Sequence, residues 1–147
     1  MKLTISTFVD QDYLSVKEGF NESLFVKLSP PFPPVKLLRF DGSATGDLVA
    51  LELNFIFFKQ KWVSEITEDK LTSEEFYFID KGVELPFFLK KWTHKHRILK
   101  SETGSEIRDE IEYQGPFFLL TWLLYPAMLL QFAYRKPIYK KIFKKAS

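Results

Sequence analysis

Apolar and polar residues alternate along most of the first 113 positions, a pattern typical of strands that bury one face. Short polar or glycine-containing breaks separate the alternating segments, so we expect neighbouring strands to run antiparallel, with one face buried and the other in water. The predicted strands are 2–9, 35–40, 48–58, 59–67, 74–80, 90–99 and 105–113, with breaks at 41–46, 70–73 and 80–86.

Two segments do not follow this alternation, and their patterns predict helices. Ser15 and Glu18 fit a capping box, which predicts one or two short helices from there to about Leu28, and the proline-rich segment 29–34 ends them. Gly115 and Pro116 break the last strand, and residues 117–134 carry no charge. We therefore predict a long C-terminal helix from 117 to about 145, with a kink at Pro126 or Pro137.

The resulting order is one strand, two short helices, a run of antiparallel strands and a long helix. A curved sheet with one apolar face needs a covering layer, and the uncharged part of the last helix is the natural candidate. The fold class predicted is α+β, with six or seven antiparallel strands wrapped around the C-terminal helix. At 147 residues, the chain is expected to form a single domain over 1–147.

The most informative polar residues lie on the apolar faces of the last two strands. One face carries Trp92, His94, His96 and Ile98, and the other carries Ile107, Asp109, Ile111 and Tyr113. The segment SETG at 101–104 predicts a hairpin turn between them. Registers in which paired residue numbers sum to 205 or 207 keep the two apolar faces together, so we predict that Asp109 contacts His96.

Three roles for these polar residues stay open. They form a hydrogen-bonded structural pair, or they anchor the polar end of a ligand, or His96 acts as a general base that Asp109 orients. No residue is assigned as catalytic beyond these two candidates. Two histidines and a carboxylate could also ligate a metal. Because no third strong ligand is expected nearby, neither a metal site nor a cofactor is predicted.

Aromatic residues make up 17% of the chain, including 16 Phe. That many rings can fill a solid core or line a cavity for an apolar guest. The candidate ligand-binding residues are Phe55, Phe57, Trp62, Phe76, Phe78, Trp92, His94, His96, Asp109, Tyr113 and Trp122.

The net charge of +2 is too small to argue for nucleic acid as a partner. The chain has no cysteine, and its N-terminus alternates rather than running apolar, so we expect a cytoplasmic protein without disulfides or a signal peptide. The uncharged run is at the lower limit for a membrane span. An apolar helix followed by the basic segment 135–145 could also associate peripherally with a membrane or form a homodimer.

Several motifs resemble those of the START-like, or SRPBCC, superfamily, which includes Bet v 1-type proteins and small bacterial ligand-binding members of cyclase/dehydrase type. The W-x-H-x-H strand matches Trp92, His94 and His96, and the following strand matches Gly104, Asp109, Tyr113 and Pro116. Further matches are Pro30, Pro31, Trp62, Glu65 and Ile66. The resemblance implies a helix-grip fold with a cavity between the sheet and the C-terminal helix.

The cavity of such proteins usually accepts a lipid-like, isoprenoid or polycyclic molecule. We therefore expect the chain to bind a hydrophobic small molecule, with the His and Asp side chains as polar contacts. Two alternatives remain: an enzyme of cyclase/dehydrase type that uses His96 and Asp109, and a protein that docks on a membrane or partner through its basic C-terminal helix.

Overall fold

The computed structural model describes residues 1–145 and confirms the predicted α+β architecture. The strands are β1 Lys2–Val9, β2 Val35–Phe40, β3 Leu48–Asn54, β4 Lys59–Leu71, β5 Glu75–Glu84, β6 Lys91–Lys100 and β7 Ser105–Gln114. The helices are α1 Tyr13–Glu18, α2 Glu22–Lys27, α3 Phe118–Ala133 and α4 Arg135–Ile142.

All seven strands belong to one antiparallel sheet, in the order β1-β7-β6-β5-β4-β3-β2. Strands β2 to β7 pair with their sequence neighbours, and β1 closes the sheet against β7. Register shifts interrupt the β2–β3 pair once and the β4–β5 pair twice. Such bulges bend strands and increase twist, which gives the sheet an inner face that the helices partly cover.

The β6–β7 hairpin forms at the predicted turn, with Ser101 N–H donating to the Gly104 carbonyl at 3.1 Å. Gly104 is required there for packing, because a Cβ at this position would collide with the carbonyl oxygen of Val9 at the end of β1. The turn therefore fixes both the hairpin register and the position of the neighbouring strand.

The start of the first helix differs from the prediction. The N-cap of α1 is Asp12, whose Oδ1 accepts hydrogen bonds from the Leu14 and Ser15 backbone amides at 3.1 Å each. The Ser15 hydroxyl donates to Asp12 instead of capping the helix itself. The Ser15–Glu18 capping box is therefore wrong, because Asp12 is a strong N-cap residue one turn earlier.

The C-terminal helix forms as predicted, and a one-residue interruption divides it into α3 and α4. The break falls at Tyr134, between α3 and α4, and Pro126 lies inside α3. Pro137 lies in the first turn of α4, where its missing N–H costs nothing. In a continuous helix, the ring of Pro137 would collide with the carbonyl of Ala133. The interruption therefore falls just before Pro137, which is one of the two kink sites that the sequence predicted.

Two predicted strand limits also need correction. The strand expected over 48–58 ends at Asn54, and Phe55–Phe58 form a tight turn in which Ile56 has φ of 73°. The break expected at 80–86 begins too early, since β5 continues from Asp80 to Glu84. The longer β4 supplies backbone partners for this extension, so that Asp80 pairs with Ile66.

The inner face of the sheet carries two apolar clusters. One packs under α1, α2 and α4 and includes Phe78, Ile98, Tyr139 and Phe143. The other packs under α3 and includes Trp92, Tyr113, Met128 and Phe132.

The helix α3 covers part of the sheet, as the candidate covering layer that the sequence predicted. Met128 and Phe132 are the buried residues of this helix, which packs against β1 and β7 at one side of the sheet. Its opposite side exposes Leu119, Leu123 and Leu130. None of the helices described within residues 1–145 combines the length and hydrophobicity needed to cross a bilayer.

Candidate functional site

Four polar side chains meet in the middle of the inner face, on three adjacent strands. Asp80 comes from β5, His94 and His96 from β6, and Asp109 from β7. Asp80 lies opposite His94, and Asp109 lies opposite His96. The second pairing has a residue sum of 205, one of the two registers that the sequence predicted. We refer to these four residues as the His–Asp cluster.

The hydrogen bonds of the cluster link each histidine to a carboxylate. His94 Nε2 lies 2.8 Å from Asp109 Oδ1, and His96 Nε2 lies 3.3 Å from Asp80 Oδ2. The predicted contact between His96 and Asp109 is present at 3.3 Å between Nδ1 and Oδ1. However, His96 Nδ1 makes no hydrogen bond there, so the contact is electrostatic. The main partner of Asp109 is therefore His94.

The two histidines have pKa values shifted in opposite directions. Burial and the nearby charge of His96 lower the pKa of His94 to about 4. Burial also opposes protonation of His96, but its close contacts with the carboxylates of Asp109 and Asp80 outweigh it and raise the pKa of His96 above its usual value. His94 is therefore the neutral imidazole at neutral pH, and His96 is the more readily protonated of the two.

The carboxyl groups of the cluster stay ionised. Burial acts to raise the pKa of both Asp109 and Asp80, yet the hydrogen bonds and charges of the histidines outweigh it and lower both values. The Trp92 indole donates to Asp80 Oδ1 at 2.9 Å, which holds this carboxylate in place. Two negative charges thus flank the two histidines, one on each neighbouring strand.

Aromatic rings surround the cluster. Phe78 stacks on His96 with ring centroids 4.4 Å apart, and Phe132 of α3 meets His94 edge-on at 5.0 Å. The hydroxyl of Tyr139 is buried without a hydrogen-bond partner. Burial and then the charge of Asp109 raise the pKa of Tyr139. The His–Asp cluster therefore has an apolar wall on two sides, formed by Phe78 and Phe132.

The structure brings most of the predicted lining residues to the inner face. Phe76, Phe78, Trp92 and Tyr113 are buried in the two apolar clusters. Trp62 is half-buried and meets Trp92 edge-on at 4.8 Å.

Three predicted lining residues lie elsewhere. Phe57 is 93% exposed at the tip of the β3–β4 turn, and Trp122 is 54% exposed on α3. Phe55 is half-buried in a separate aromatic group with Phe58 and Phe88. The alternation that placed Phe55 and Phe57 in a strand ends at Asn54, so their side chains do not reach the His–Asp cluster.

Two open clefts flank the sheet, and neither is lined by the cluster. One, of about 460 Å³, lies at the start of α3 between Tyr113, Phe118 and Trp122. The other, of about 550 Å³, lies between the β6–β7 turn, the start of α1 and Lys145. The side chain of Tyr113 is held in the wall of the 460 Å³ cleft, because its hydroxyl donates to the Thr121 carbonyl at 3.1 Å.

Asp80 is the residue of the site that sequence reasoning missed. The sequence predicts Asp80 both as the last residue of the strand 74–80 and as the first residue of the break 80–86, and does not single it out as a site residue. A signal for it does exist, because Phe76, Phe78 and Asp80 continue one alternating face. The structure shows that this is the face on which the histidines lie.

Comparison with known proteins identifies structures of the same architecture. A protein from Chromobacterium violaceum, CV1439, superposes with a TM-score of 0.72 at 11% identity, covering 99% of this chain and 98% of that one. The ZhuI aromatase/cyclase from Streptomyces sp. R1128 gives 0.67 at 12% identity, covering 93% and 89%. Norcoclaurine synthase from Thalictrum flavum, in complex with dopamine and hydroxybenzaldehyde, gives 0.64 at 11% identity, covering 100% and 89%.

Sequence comparison gives much less. No profile of a known protein family matches the chain. Serpin A11 of Rattus norvegicus is 31% identical over 85 residues, which are 58% of this chain, and the chain spans only about 20% of the length of that curated relative. The structural likeness shows the fold alone: the chain has a helix-grip fold like that of these solved structures.

Proposed function

We propose that the protein binds a hydrophobic small molecule, such as a lipid, an isoprenoid or a polycyclic compound, between the inner face of its sheet and α3. The observation that carries this proposal is the His–Asp cluster, a small group of convergent polar side chains within an otherwise apolar inner face. Ligand sites commonly combine apolar walls with a few polar groups that set orientation.

The partial cover of the sheet by α3 supports the same interpretation. Large apolar side chains remain accessible on this helix, among them Leu119, Leu123 and Leu130. Exposed apolar surface is a common feature of binding sites. The norcoclaurine synthase of this fold was crystallised with dopamine and hydroxybenzaldehyde, so this architecture can hold small organic molecules.

Native mass spectrometry of the purified protein tests the proposal directly, and we expect it to show a co-purified apolar compound. The site itself is tested by titration with the fluorescent probe 1-anilinonaphthalene-8-sulfonate. Trp62→Ala, at the inner-face wall, should weaken probe binding about tenfold, a loss of about 1.4 kcal/mol. Phe57→Ala, at the exposed turn, is the matched control and should leave it unchanged.

Equal affinities in the two variants, together with no co-purified compound, would contradict the proposed site. Equal affinities with a co-purified compound would place the guest elsewhere on the protein. The second result would direct attention to the cleft beside Trp122.

A second candidate is an enzyme of cyclase/dehydrase type, and the opposite pKa shifts of the two histidines favour it. Adjacent groups whose pKa values are pushed apart are typical of acid–base pairs. The directions make His94 the group able to accept a proton and His96 the group able to donate one, a division that the sequence did not predict. Turnover of an enolisable polycyclic ketone that is lost in His94→Gln would support this role.

A third candidate is docking on an anionic membrane, and the exposed side of α3 favours it. The adjoining basic residues Lys140, Lys141, Lys144 and Lys145 are exposed and could attract anionic lipid. Co-flotation with vesicles containing phosphatidylserine should occur and should be lost in Leu123→Glu. Homodimerisation through the same surface is the other outcome, and sedimentation analysis without lipid would detect it.

A further inference from the structure

We propose that Asp80, His94 and His96 form a binding site for a divalent transition-metal ion, with zinc as the ion that fits best. Each of these residues offers one donor atom, and the three atoms lie within 4.8 Å of one another. The contacts of Asp80 point to its Oδ2, His94 Nδ1 and His96 Nε2 as those atoms. The three side chains come from two paired strands, and no cofactor or metal was expected from the sequence.

The spacing of the donor atoms matches a metal coordination sphere. Asp80 Oδ2 lies 3.3 Å from His96 Nε2 and 3.6 Å from His94 Nδ1. Zinc binds imidazole nitrogen and carboxylate oxygen at about 2.0–2.2 Å in tetrahedral sites, which places neighbouring donors about 3.3–3.6 Å apart. The Asp80 oxygen therefore already stands at nearly the required separation from both imidazole nitrogens, and a fourth position is left for water or a polar group of a bound molecule.

The proton positions favour a cation at this place. His94 Nε2 is bonded to Asp109, and a neutral His94 that donates from this atom turns the lone pair of Nδ1 toward Asp80. Two acceptor atoms 3.6 Å apart repel each other unless a cation lies between them. The structure thus directs two lone pairs toward one point in the interior.

His96 provides an independent observation. Its side chain is about nine-tenths buried, and its Nδ1 has no hydrogen-bond partner although it lies 3.3 Å from Asp109 Oδ1. If the proton is on Nε2, Nδ1 turns a lone pair toward a carboxylate. A metal on Nε2 reverses this arrangement, because the N–H is then on Nδ1 and points at Asp109.

Each ligand would be oriented from behind, as is usual at metal sites. Asp109 supports both imidazoles, and the Trp92 indole donates to Oδ1 of Asp80, while Oδ2 faces the two imidazoles. The charge balance agrees, since two buried carboxylates face two imidazoles. Within residues 1–145, no lysine or arginine forms an ion pair with Asp80 or Asp109.

Titration of chelator-treated full-length protein with zinc chloride, followed by calorimetry, tests the site. We expect one zinc per chain. Asp80→Asn should reduce the affinity more than the roughly 10–100-fold expected for Asp109→Asn, because Asp80 is a ligand and Asp109 only orients the ligands. Glu112→Gln, an exposed carboxylate on the outer face of β7, is the matched control and should bind zinc like the unchanged protein.

Nuclear magnetic resonance of the unchanged protein keeps the test decisive even if a variant fails to fold. The chain has two histidines, so zinc should shift the imidazole signals of both and leave none unaffected. Zinc uptake without these shifts, uptake that Asp80→Asn does not reduce, or the absence of stoichiometric uptake would each overturn the proposal.

Discussion

The two faces of strands β5, β6 and β7 carry charged networks of opposite character. On the outer face, Arg97 of β6 reaches Glu75 of β5 at 2.8 Å and Glu110 of β7 at 2.9 Å. On the inner face, the His–Asp cluster links the same three strands. Both networks tie the central strands together, so their composition and burial are the main differences.

The outer network is complete by itself. The guanidinium is permanently charged, hydrogen bonding to Glu75 raises its pKa still further, and all three side chains remain partly in water. Surface pairs of this kind contribute little to stability. The inner network has no permanent cation, and its charges are buried. Its contacts therefore matter more to stability, and it is the network for which we propose a metal ion or a ligand group.

The largest effect is expected from removing a carboxylate of the inner network. Asp109→Ala in metal-free protein leaves His94 without its hydrogen-bond partner in the interior, and should lower the free energy of unfolding by about 3–5 kcal/mol. Urea denaturation measures this. Glu110→Ala, at the next position on the outer face, serves as the control. Similar losses in the two variants would contradict the contrast between the faces.

A smaller effect is expected from the outer network. Arg97→Gln removes both ion pairs and should cost about 1 kcal/mol, because the side chains are partly hydrated. This loss should shrink as salt is added, since salt screens exposed charges. Denaturation of the two proteins at low and high salt measures it. A loss of unfolding free energy as large as that of Asp109→Ala would contradict the expectation that hydration weakens the outer network.

The smallest change is a protonation difference that leaves the fold intact. In metal-free protein, His94 should remain neutral down to about pH 4, because its pKa is lowered by burial and by His96. His96 should lose its proton above its ordinary pH range, because its pKa is raised by the carboxylates. Imidazole nitrogen shifts measure both titrations, with His96→Gln to assign the signals. Titration of both residues near pH 6.5 would contradict the opposite pKa shifts expected for the two histidines.

Much of the site followed from alternation alone. Period two places His94 and His96 on one strand face, and the SETG turn restricted the register enough to bring Asp109 opposite His96. The turn at 101–104 is short, so few registers keep both apolar faces together. Local sequence therefore determined three of the four polar residues of the cluster.

The fourth residue depended on a strand end. Whether Asp80 belongs to a turn or to β5 is decided by the backbone partners that β4 offers and by the bulges between the two strands. The same holds for Phe57, which left the sheet because the chain turns after Asn54. Strand ends are set by pairing between strands, which the local pattern does not contain.

For this protein, the sequence by itself determined the order of elements, the face on which each histidine lies and the helical nature of the uncharged tail, because these depend on short-range periodicity. Only the tertiary structure decided that Asp80 joins the histidines, that Asp109 bonds mainly to His94, and that α3 leaves one side exposed. Those outcomes depend on distances between atoms of different elements, which packing and strand register set.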